Sequence, residues 1–254
     1  MKRLCLMLCA LCVSQAIIAT PLKEVVGKVK PSIVGVGFYA PLATVSHQLK
    51  GTGFVVGDGH YVVTNNHVIT AVPKSEDNIK YNRVIFVPKG KKYTINRVKQ
   101  VYTDEMHDIA ILEIDKPLPA LKLVAKDKQV ADGEDIALTG FPIGAALGLY
   151  PATHKGIVAA YSPNIISAAN SQQLSELFLA SLKHPFMVYQ LDITAYPGNS
   201  GSPVYLADTG EVFSVVNKVF VKETKESAIT APSGITYAIP VEHIYALAEK
   251  HGLF

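Results

Sequence analysis

The sequence predicts an all-β fold, and three observations support this. Short runs of β-branched and aliphatic residues recur along the chain, and glycine-containing turns such as 57–60 and 88–91 separate several of them. The chain is 49% hydrophobic and 18% charged, with 18 glycines and 15 prolines. This composition provides enough apolar material for a core and enough turn residues for many short elements. Short strands at this spacing are typical of a sandwich or of barrels.

The individual elements follow from local patterns. Seven apolar runs are predicted to be strands: residues 53–56, 61–64, 84–87, 109–112, 136–138, 156–158 and 212–221. Two segments favour helix instead. Asn170 and Ser171 can cap a helix over 172–183, where apolar residues recur on one face, and Pro240 opens a second helix that ends near Gly252.

The first 19 residues are typical of a secretory signal peptide. Lys2 and Arg3 precede an apolar run over residues 4–13, and we expect cleavage near Ala16 or Ala19. The run is too short for a transmembrane anchor unless residues 17–19 extend it. We therefore expect a mature domain over residues 20–254, exported to the bacterial periplasm or secreted, with no stable membrane insertion.

Cysteine content and charge exclude several classes of function. Cys5, Cys9 and Cys12 all lie in the expected leader, so the mature domain has no disulfide, no catalytic thiolate and no cysteine-ligated zinc. The formal charge of +3 falls by two when Lys2 and Arg3 are removed. This small charge gives no support for a nucleic-acid partner.

A serine between glycines is the first candidate for chemistry. In the segment 198–203 (GNSGSP), Ser200 is flanked by glycines that permit a tight turn, in which backbone N–H groups can converge on one point. An oxyanion site beside a nucleophile needs this arrangement. The same residues would also form an ordinary polar hairpin turn, so the segment alone leaves both interpretations open.

A nucleophilic serine needs a base and a carboxylate that orients the base. Of the eight histidines, only His67 directly follows a predicted strand, although a single histidine in that position is more often structural. Asp108 directly precedes the strand 109–112, whereas Asp104 and Glu105 lie nearby in a polar loop and are weaker candidates. The order His67, Asp108, Ser200 makes the three separate signals support one another.

With these residues in place, the sequence resembles the trypsin-like, chymotrypsin-fold serine peptidases, and in particular the protease domain of the HtrA/Deg type. The matching stretches run in family order over about residues 24–250: 51–56, 64–69, 107–112, 140–144, 156–158, 190–192, 197–203 and 234–240.

The resemblance implies two antiparallel six-stranded β-barrels with the active site between them. The first barrel would span about residues 24–130 and the second about 131–240, and a C-terminal helix would cover 241–251. A longer connection over 163–186, which includes the predicted helix, would form a helical insertion in the second barrel. HtrA-type proteins carry C-terminal PDZ domains, whereas this sequence stops at Phe254, so the resemblance gives no ground for assuming peptide-triggered assembly.

The resemblance also assigns roles to residues. Ser200 would attack the scissile carbonyl, His67 would act as base and Asp108 would orient its ring, while the backbone N–H groups of Gly198 and Ser200 would bind the oxyanion. Thr194 would form the floor of the main substrate pocket. The pocket wall would come from Asn217, Lys218 and Val219. No metal or other cofactor is implied.

Two functions remain open at this point. The first is an active endopeptidase that acts on protein or peptide substrates, and the complete set of matching residues favours it. The second is a binding or chaperone-like module that keeps the fold without turnover. For the endopeptidase, an uncharged pocket floor at Thr194 predicts cleavage after small or medium apolar residues, since burying an unpaired cationic side chain is costly. The sequence carries no signal for an oligomeric state.

Overall fold

Two closed β-barrels make up most of the molecule. The computed structural model describes residues 20–73, 79–90, 92–142, 148–164, 185–219 and 235–254. Each barrel contains six antiparallel strands. The fold class predicted from the sequence is confirmed, and of the two architectures that the residue pattern allowed, the structure contains barrels rather than a sandwich.

The first barrel closes in the strand order β1-β2-β3-β6-β5-β4. Its strands are β1 Ile33–Tyr39, β2 His47–Val56, β3 Tyr61–Thr64, β4 Asn82–Lys89, β5 Lys92–Asp104 and β6 Ile109–Ile114. Alternate residues of a strand point to opposite faces. In β6, Ala110 and Leu112 belong to one buried cluster, while Ile109 and Ile111 belong to another that includes residues of the second barrel. Burial on both faces explains why the first four residues of this strand are all apolar.

The second barrel repeats the strand order of the first. Its strands are β7 Asp135–Gly140, β8 Ala152–Pro163, β9 Met187–Asp192, β10 Pro203–Leu206, β11 Val212–Val219 and β12 Ile235–Pro240. They close in the order β7-β8-β9-β12-β11-β10, which is the order of the first barrel with six added to each number. The two barrels therefore share one topology.

The seven runs predicted as strands lie in observed strands, with β11 described as far as Val219. Five further strands, β1, β5, β9, β10 and β12, were not predicted from local pattern. Strand β5 is largely exposed and polar, and β10 has only four residues. Strand β1 contains two glycines, and one of them allows a close approach: a Cβ on Gly37 would lie 2.0 Å from the carbonyl oxygen of Gln48.

Three α-helices are found in the described part of the chain: α1 Leu22–Val29, α2 Asn66–Thr70 and α3 Glu242–His251. Helix α1 continues into a short 3₁₀ helix over Lys30–Ser32. The C-terminal helix predicted from the sequence is confirmed as α3. It ends at Gly252, whose φ of 62° is left-handed and suits glycine.

Helix α3 follows the second barrel but also contacts the first. His251 packs against Tyr102 with ring centroids 4.9 Å apart, and Phe254, just beyond the helix, packs against Tyr61 at 5.4 Å. Among the described residues, no helix combines the length and apolar character needed to cross a membrane. The expected leader and the predicted helix over 172–183 lie outside the described residues.

Candidate active site

Pairing between β3 and β6 brings His67 close to Asp108. The two strands are antiparallel, with Thr64 opposite Ala110. His67 lies in α2, directly beyond the end of β3, and Asp108 directly precedes the start of β6. The end of one strand and the start of its antiparallel neighbour lie at the same edge of the barrel, so both side chains are placed there.

The two side chains form a short hydrogen bond. His67 Nδ1 lies 2.6 Å from Asp108 Oδ2, and the backbone N–H of His67 donates to Asp108 Oδ1 at 2.8 Å. A carboxylate can only accept, so Nδ1 carries the hydrogen and Nε2 of the neutral ring is free to take up a proton. The histidine side chain is 45% exposed and the aspartate side chain 21%. The ring is therefore fixed at one nitrogen and accessible to solvent.

The backbone of Asp108 is held in an uncommon conformation. Its φ is +52°, and no other described residue apart from glycine has a positive φ. A side chain with a Cβ is disfavoured in this region, so neighbouring contacts must hold it there. The carbonyl of Asp108 accepts hydrogen bonds from the backbone N–H of Asn66 at 3.2 Å and from Asn65 Nδ2 at 3.1 Å.

Asn217 connects Asp108 with Ser200. Its side-chain Nδ2 donates to Asp108 Oδ2 at 2.7 Å, and its backbone carbonyl accepts from Ser200 Oγ at 3.3 Å. Among the described residues, Ser200 and His67 form no hydrogen bond with each other. The resemblance predicts Asn217 in a pocket wall, and neither of these contacts follows from the local sequence. One signal was present, because Asn217 is a polar residue that directly follows the buried apolar residues Val215 and Val216 of β11.

Ser200 lies in a tight loop between β9 and β10. Within the loop, Asn199 N–H donates to Tyr196 O at 3.0 Å, and Ser202 N–H donates to Asn199 O at 2.9 Å. Gly201 has a φ of 83°, and a Cβ there would lie 2.2 Å from the carbonyl oxygen of Thr52. Glycine is therefore required at position 201 for both conformation and space.

The loop is attached to strands of both barrels. The backbone N–H of Thr52 in β2 donates to Ser200 O at 2.9 Å, and Gly201 N–H donates to Val216 O in β11 at 2.9 Å. A Cβ on Gly51 would lie 2.9 Å from Ser200 O and 2.7 Å from Val68 Cγ2. Ser200 and the helix that carries His67 thus pack against the same glycine.

Two backbone N–H groups of the loop are available to a ligand. Gly198 has a φ of 100°, and its carbonyl accepts a hydrogen bond from Thr52 Oγ1 at 2.8 Å. Within the described part of the chain, the N–H groups of Gly198 and Ser200 donate no hydrogen bond. Two unpaired backbone donors beside a serine hydroxyl can stabilise a negatively charged oxygen.

The residues assigned to the substrate pocket are only partly described. Thr194 follows β9 and is half-buried, and Asp192, two residues earlier, is exposed. The backbones of Lys218 and Val219 pair with Tyr237 and Thr236 of β12. The side chains of Lys218 and Val219 lie outside the described part of the structure.

Two barrels of equal topology, with a histidine–aspartate pair on one and a serine loop on the other, define a chymotrypsin-like fold. Residues 51–215 match the family model described as trypsin-like peptidase domain. The chain belongs to the trypsin-like peptidase domain family, and the proteins to which it is similar include HtrA-type proteases.

Curated relatives are HtrA and DegP proteins. The chain is 28% identical over 196 residues to a probable periplasmic serine endoprotease DegP-like of Pseudomonas fluorescens, covering 77% of this chain and 33% of the relative. It is 28% identical over 235 residues to serine protease HTRA1A of Danio rerio, covering 90% of this chain and 41% of the relative. The chain thus spans about a third of the DegP-like relative and 41% of HTRA1A.

Solved structures show the same fold. The HtrA-type protease AlgW with a tripeptide superposes with a TM-score of 0.62 at 22% identity, covering 91% of this chain and 64% of that one. The serine endoprotease from Yersinia pestis gives a TM-score of 0.60 at 20% identity, with coverages of 92% and 67%. The inactive form of Rv3671c from M. tuberculosis H37Rv gives 0.60 at 20% identity, with coverages of 92% and 95%.

Proposed function

We propose that this protein is a serine endopeptidase that hydrolyses peptide bonds of protein or peptide substrates. His67, Asp108 and Ser200 are the proposed catalytic residues. The observation that carries the proposal is the position of Asn217, whose amide contacts Asp108 and whose carbonyl contacts the hydroxyl of Ser200. This residue links the histidine–aspartate pair of the first barrel to the serine of the second.

The proposed reaction begins at Ser200. Its Oγ gives up the hydrogen bond to Asn217 O, transfers its proton to His67 Nε2 and attacks the substrate carbonyl carbon. Asp108 keeps the hydrogen on His67 Nδ1 and stabilises the imidazolium that forms. The 2.6 Å contact between Nδ1 and Oδ2 is suited to this role.

The tetrahedral intermediate would place its oxyanion at the N–H groups of Gly198 and Ser200. Losing one such donor costs about 3 kcal/mol of transition-state stabilisation. His67 then returns the proton to the leaving amine, and the peptide bond breaks to leave an acyl-enzyme on Ser200. Water activated by His67 hydrolyses the acyl-enzyme and regenerates the serine.

We further propose that the protein acts after export, in the periplasm. The DegP-like relatives carry "periplasmic" in their names. Residues 1–19 have the basic start, apolar run and small residues of a cleavable leader. Fractionation of cells that express the full chain, followed by N-terminal sequencing of the purified protein, tests this: we expect a periplasmic protein that starts near residue 17 or 20. An intact N-terminus in the cytoplasm would contradict it.

Labelling with a fluorophosphonate probe tests the catalytic assignment. We expect the wild-type protein to be labelled and to cleave casein, and Ser200→Ala to do neither. Ser202→Ala is the matched control, because Ser202 lies in the same loop but is fully buried. Labelling of Ser200→Ala at the wild-type level would overturn the assignment, and a folded wild-type protein without labelling or cleavage would favour the binding-module alternative.

A further inference from the structure

A second aspartate–histidine pair lies in the turn that leads to Asp108. Asp104 is the last residue of β5, and its carboxylate accepts two hydrogen bonds from His107. The backbone N–H of His107 donates to Oδ1 at 3.2 Å, and His107 Nδ1 donates to Oδ2 at 2.6 Å. Both side chains are largely covered, at 21% exposed for the histidine and 24% for the aspartate. The turn is therefore closed on itself immediately before Asp108.

The ring of His107 is held by residues from outside the first barrel. His243 of α3 stacks on it, with centroids 3.8 Å apart and planes inclined by 17°. Phe186, which directly precedes β9, packs edge-on against His107 at 4.8 Å and against His243 at 5.4 Å. The turn before Asp108 is thus clamped against the C-terminal helix and the second barrel.

The charge of this group of side chains suits the packing. Burial raises the pKa of Asp104, but the hydrogen bonds from His107 outweigh this effect and hold the pKa below its ordinary value. Burial, with a smaller contribution from His107, lowers the pKa of His243 to about 4. His243 is therefore neutral at pH 7 and can stack on a ring that donates to a carboxylate. The described residues contain no group of three or more His, Cys, Asp or Glu side chains that could hold a metal ion, so metal coordination does not explain the arrangement.

The contacts of Asp104, His107 and His243 bear on the backbone conformation of Asp108. A residue with φ +52° needs neighbours that fix it. Asn65 and Asn66 hold its carbonyl. On the preceding side, Asp108 is covalently joined to His107, which is fixed through both its backbone and its ring.

We propose that Asp104, His107 and His243 are positioning residues that hold Asp108 in the orientation in which its carboxylate binds His67. This positioning cluster rests on the proposed function for its catalytic meaning, since it acts on the reaction only through Asp108. It makes the packing of the C-terminal helix a determinant of the geometry of the histidine–aspartate pair.

Proton NMR tests the proposal without requiring turnover. Imidazole hydrogens in short bonds to carboxylates resonate far downfield, and the two pairs at 2.6 Å should give two such signals. His67→Ala assigns one signal by its loss. We expect His107→Ala to remove the other and to shift or broaden the signal of His67. Because this readout is independent of hydrolysis, failure of the proposed function and failure of the positioning cluster are distinguishable.

Kinetics provide the second readout. We expect His107→Ala to lower kcat about tenfold with KM changed less than twofold, and to move the acid limb of kcat/KM to lower pH, since a poorly placed carboxylate favours the imidazolium less. His107→Phe, which keeps a ring for stacking but cannot bond Asp104, should have an intermediate effect. If His107→Ala does not fold, Asp104→Asn carries the test, because it removes only the charged acceptor.

His251→Ala is the matched control. His251 also joins α3 to the first barrel, through Tyr102, but it does not contact the turn before Asp108. We expect this variant to leave the His67 signal, kcat and the acid limb unchanged. The proposal is overturned if folded His107→Ala or Asp104→Asn keeps the wild-type signal of His67 and the wild-type kcat, or if His251→Ala changes both as strongly as His107→Ala does.

Discussion

Two aspartate–histidine pairs lie at one edge of the first barrel, and they differ in what surrounds them. The open pair, His67 and Asp108, and the covered pair, His107 and Asp104, have the same Nδ1–Oδ2 distance of 2.6 Å. In each pair the histidine backbone N–H also donates to the second carboxylate oxygen. The histidine of the open pair is 45% exposed, whereas that of the covered pair is 21% exposed and is packed between two rings.

The two pairs share one geometry, so their contacts must distinguish the proposed catalytic pair from the covered one. The open pair is linked to a serine through Asn217 and leaves one ring nitrogen accessible. The covered pair contacts His243 and Phe186 instead, and its ring faces are used for packing. We propose that the same geometry serves proton transfer in the open pair and positioning in the covered pair.

The largest expected effect separates the two aspartates by one identical substitution. We expect Asp108→Asn to lower kcat by about 10⁴-fold, because the amide no longer keeps the hydrogen on Nδ1 of His67. Asp104→Asn should lower kcat only about tenfold, since it acts through the position of Asp108. Steady-state kinetics on both variants, with folding checked by circular dichroism, measures the difference. Equal losses in the two variants would contradict the distinction between the open and the covered pair.

The next effect concerns Asn217, which contacts Asp108 of the open pair and Ser200 but neither residue of the covered pair. A hydrogen bond to a charged group contributes about 1.5–3 kcal/mol, so Asn217→Ala should lower kcat/KM by about 10- to 100-fold. Asn217→Asp should be worse, because it places a second carboxylate beside Asp108. Gln190→Ala, which removes a hydrogen bond to Ser162 in the second barrel, is the control and should be near wild type. Wild-type kcat/KM for Asn217→Ala would show that the link is dispensable.

These predictions involve residues that the sequence identified to very different degrees. His67, Asp108 and Ser200 were found because each lies beside a strong local signal, namely a strand end, a strand start and a pair of glycines. Asn217 lies 109 positions from Asp108, and its amide contact depends on how the two barrels meet. The covered pair carries no comparable local signal: Asp104 lies in a polar segment, and the rings that pack against His107 come from α3 and from the segment before β9.

The strands, like the site residues, differ in how far the local sequence predicts them. Strands β3 and β6 were predicted because both of their faces are buried, which requires continuous apolar runs. Strand β5 is mostly exposed, and its register is fixed by β4 and β6 rather than by its own pattern. Local sequence therefore predicted buried strands such as β3 and β6 and the ends that carry the candidate catalytic residues, but it missed the buried strands β1 and β10. Contacts between the barrels were visible only in the structure.

A smaller effect concerns the stability of the folded protein at low pH, and it arises from His243, which stacks on His107 of the covered pair. His243 is 13% exposed, with a pKa of about 4 in the folded state against an ordinary value of 6.5. Below pH 6.5 the unfolded chain takes up a proton that the folded protein refuses, so stability falls as the pH drops from about 6.5 to about 4. The shift corresponds to about 3 kcal/mol. The titratable groups beside His243 are His107, Asp104 and Glu242. The pKa of Asp104 lies below its ordinary value. The contribution of Asp104 to the stability of the folded state is therefore lost below this pH range.

We expect His243→Phe to lose up to about 3 kcal/mol less stability than the wild type between pH 7.5 and pH 4, since phenylalanine keeps the stack and cannot be protonated. Urea unfolding at both pH values measures the difference. His251→Phe, on the same helix at an exposed position, is the control and should follow the wild type. If His243→Phe loses as much stability as the wild type, burial of His243 does not govern the acid range.

The smallest expected effect concerns which peptide bond is cut. The substitutions that test it should not alter either aspartate–histidine pair. Thr194 is half-buried, uncharged and located just beyond β9, and we propose from the resemblance that it forms the floor of the main pocket. We expect wild-type cleavage after Ala, Val or Leu with modest discrimination among them, because one methylene changes binding by only about 1–3 kcal/mol.

Thr194→Asp should raise the share of cuts after Arg or Lys, since the new carboxylate can pair with a cationic side chain. Thr194→Ser should keep the wild-type pattern. Mass spectrometry of a denatured protein digest measures all three. A wild-type majority of cuts after basic residues, or an unchanged pattern for Thr194→Asp, would mean that the pocket floor lies at another residue.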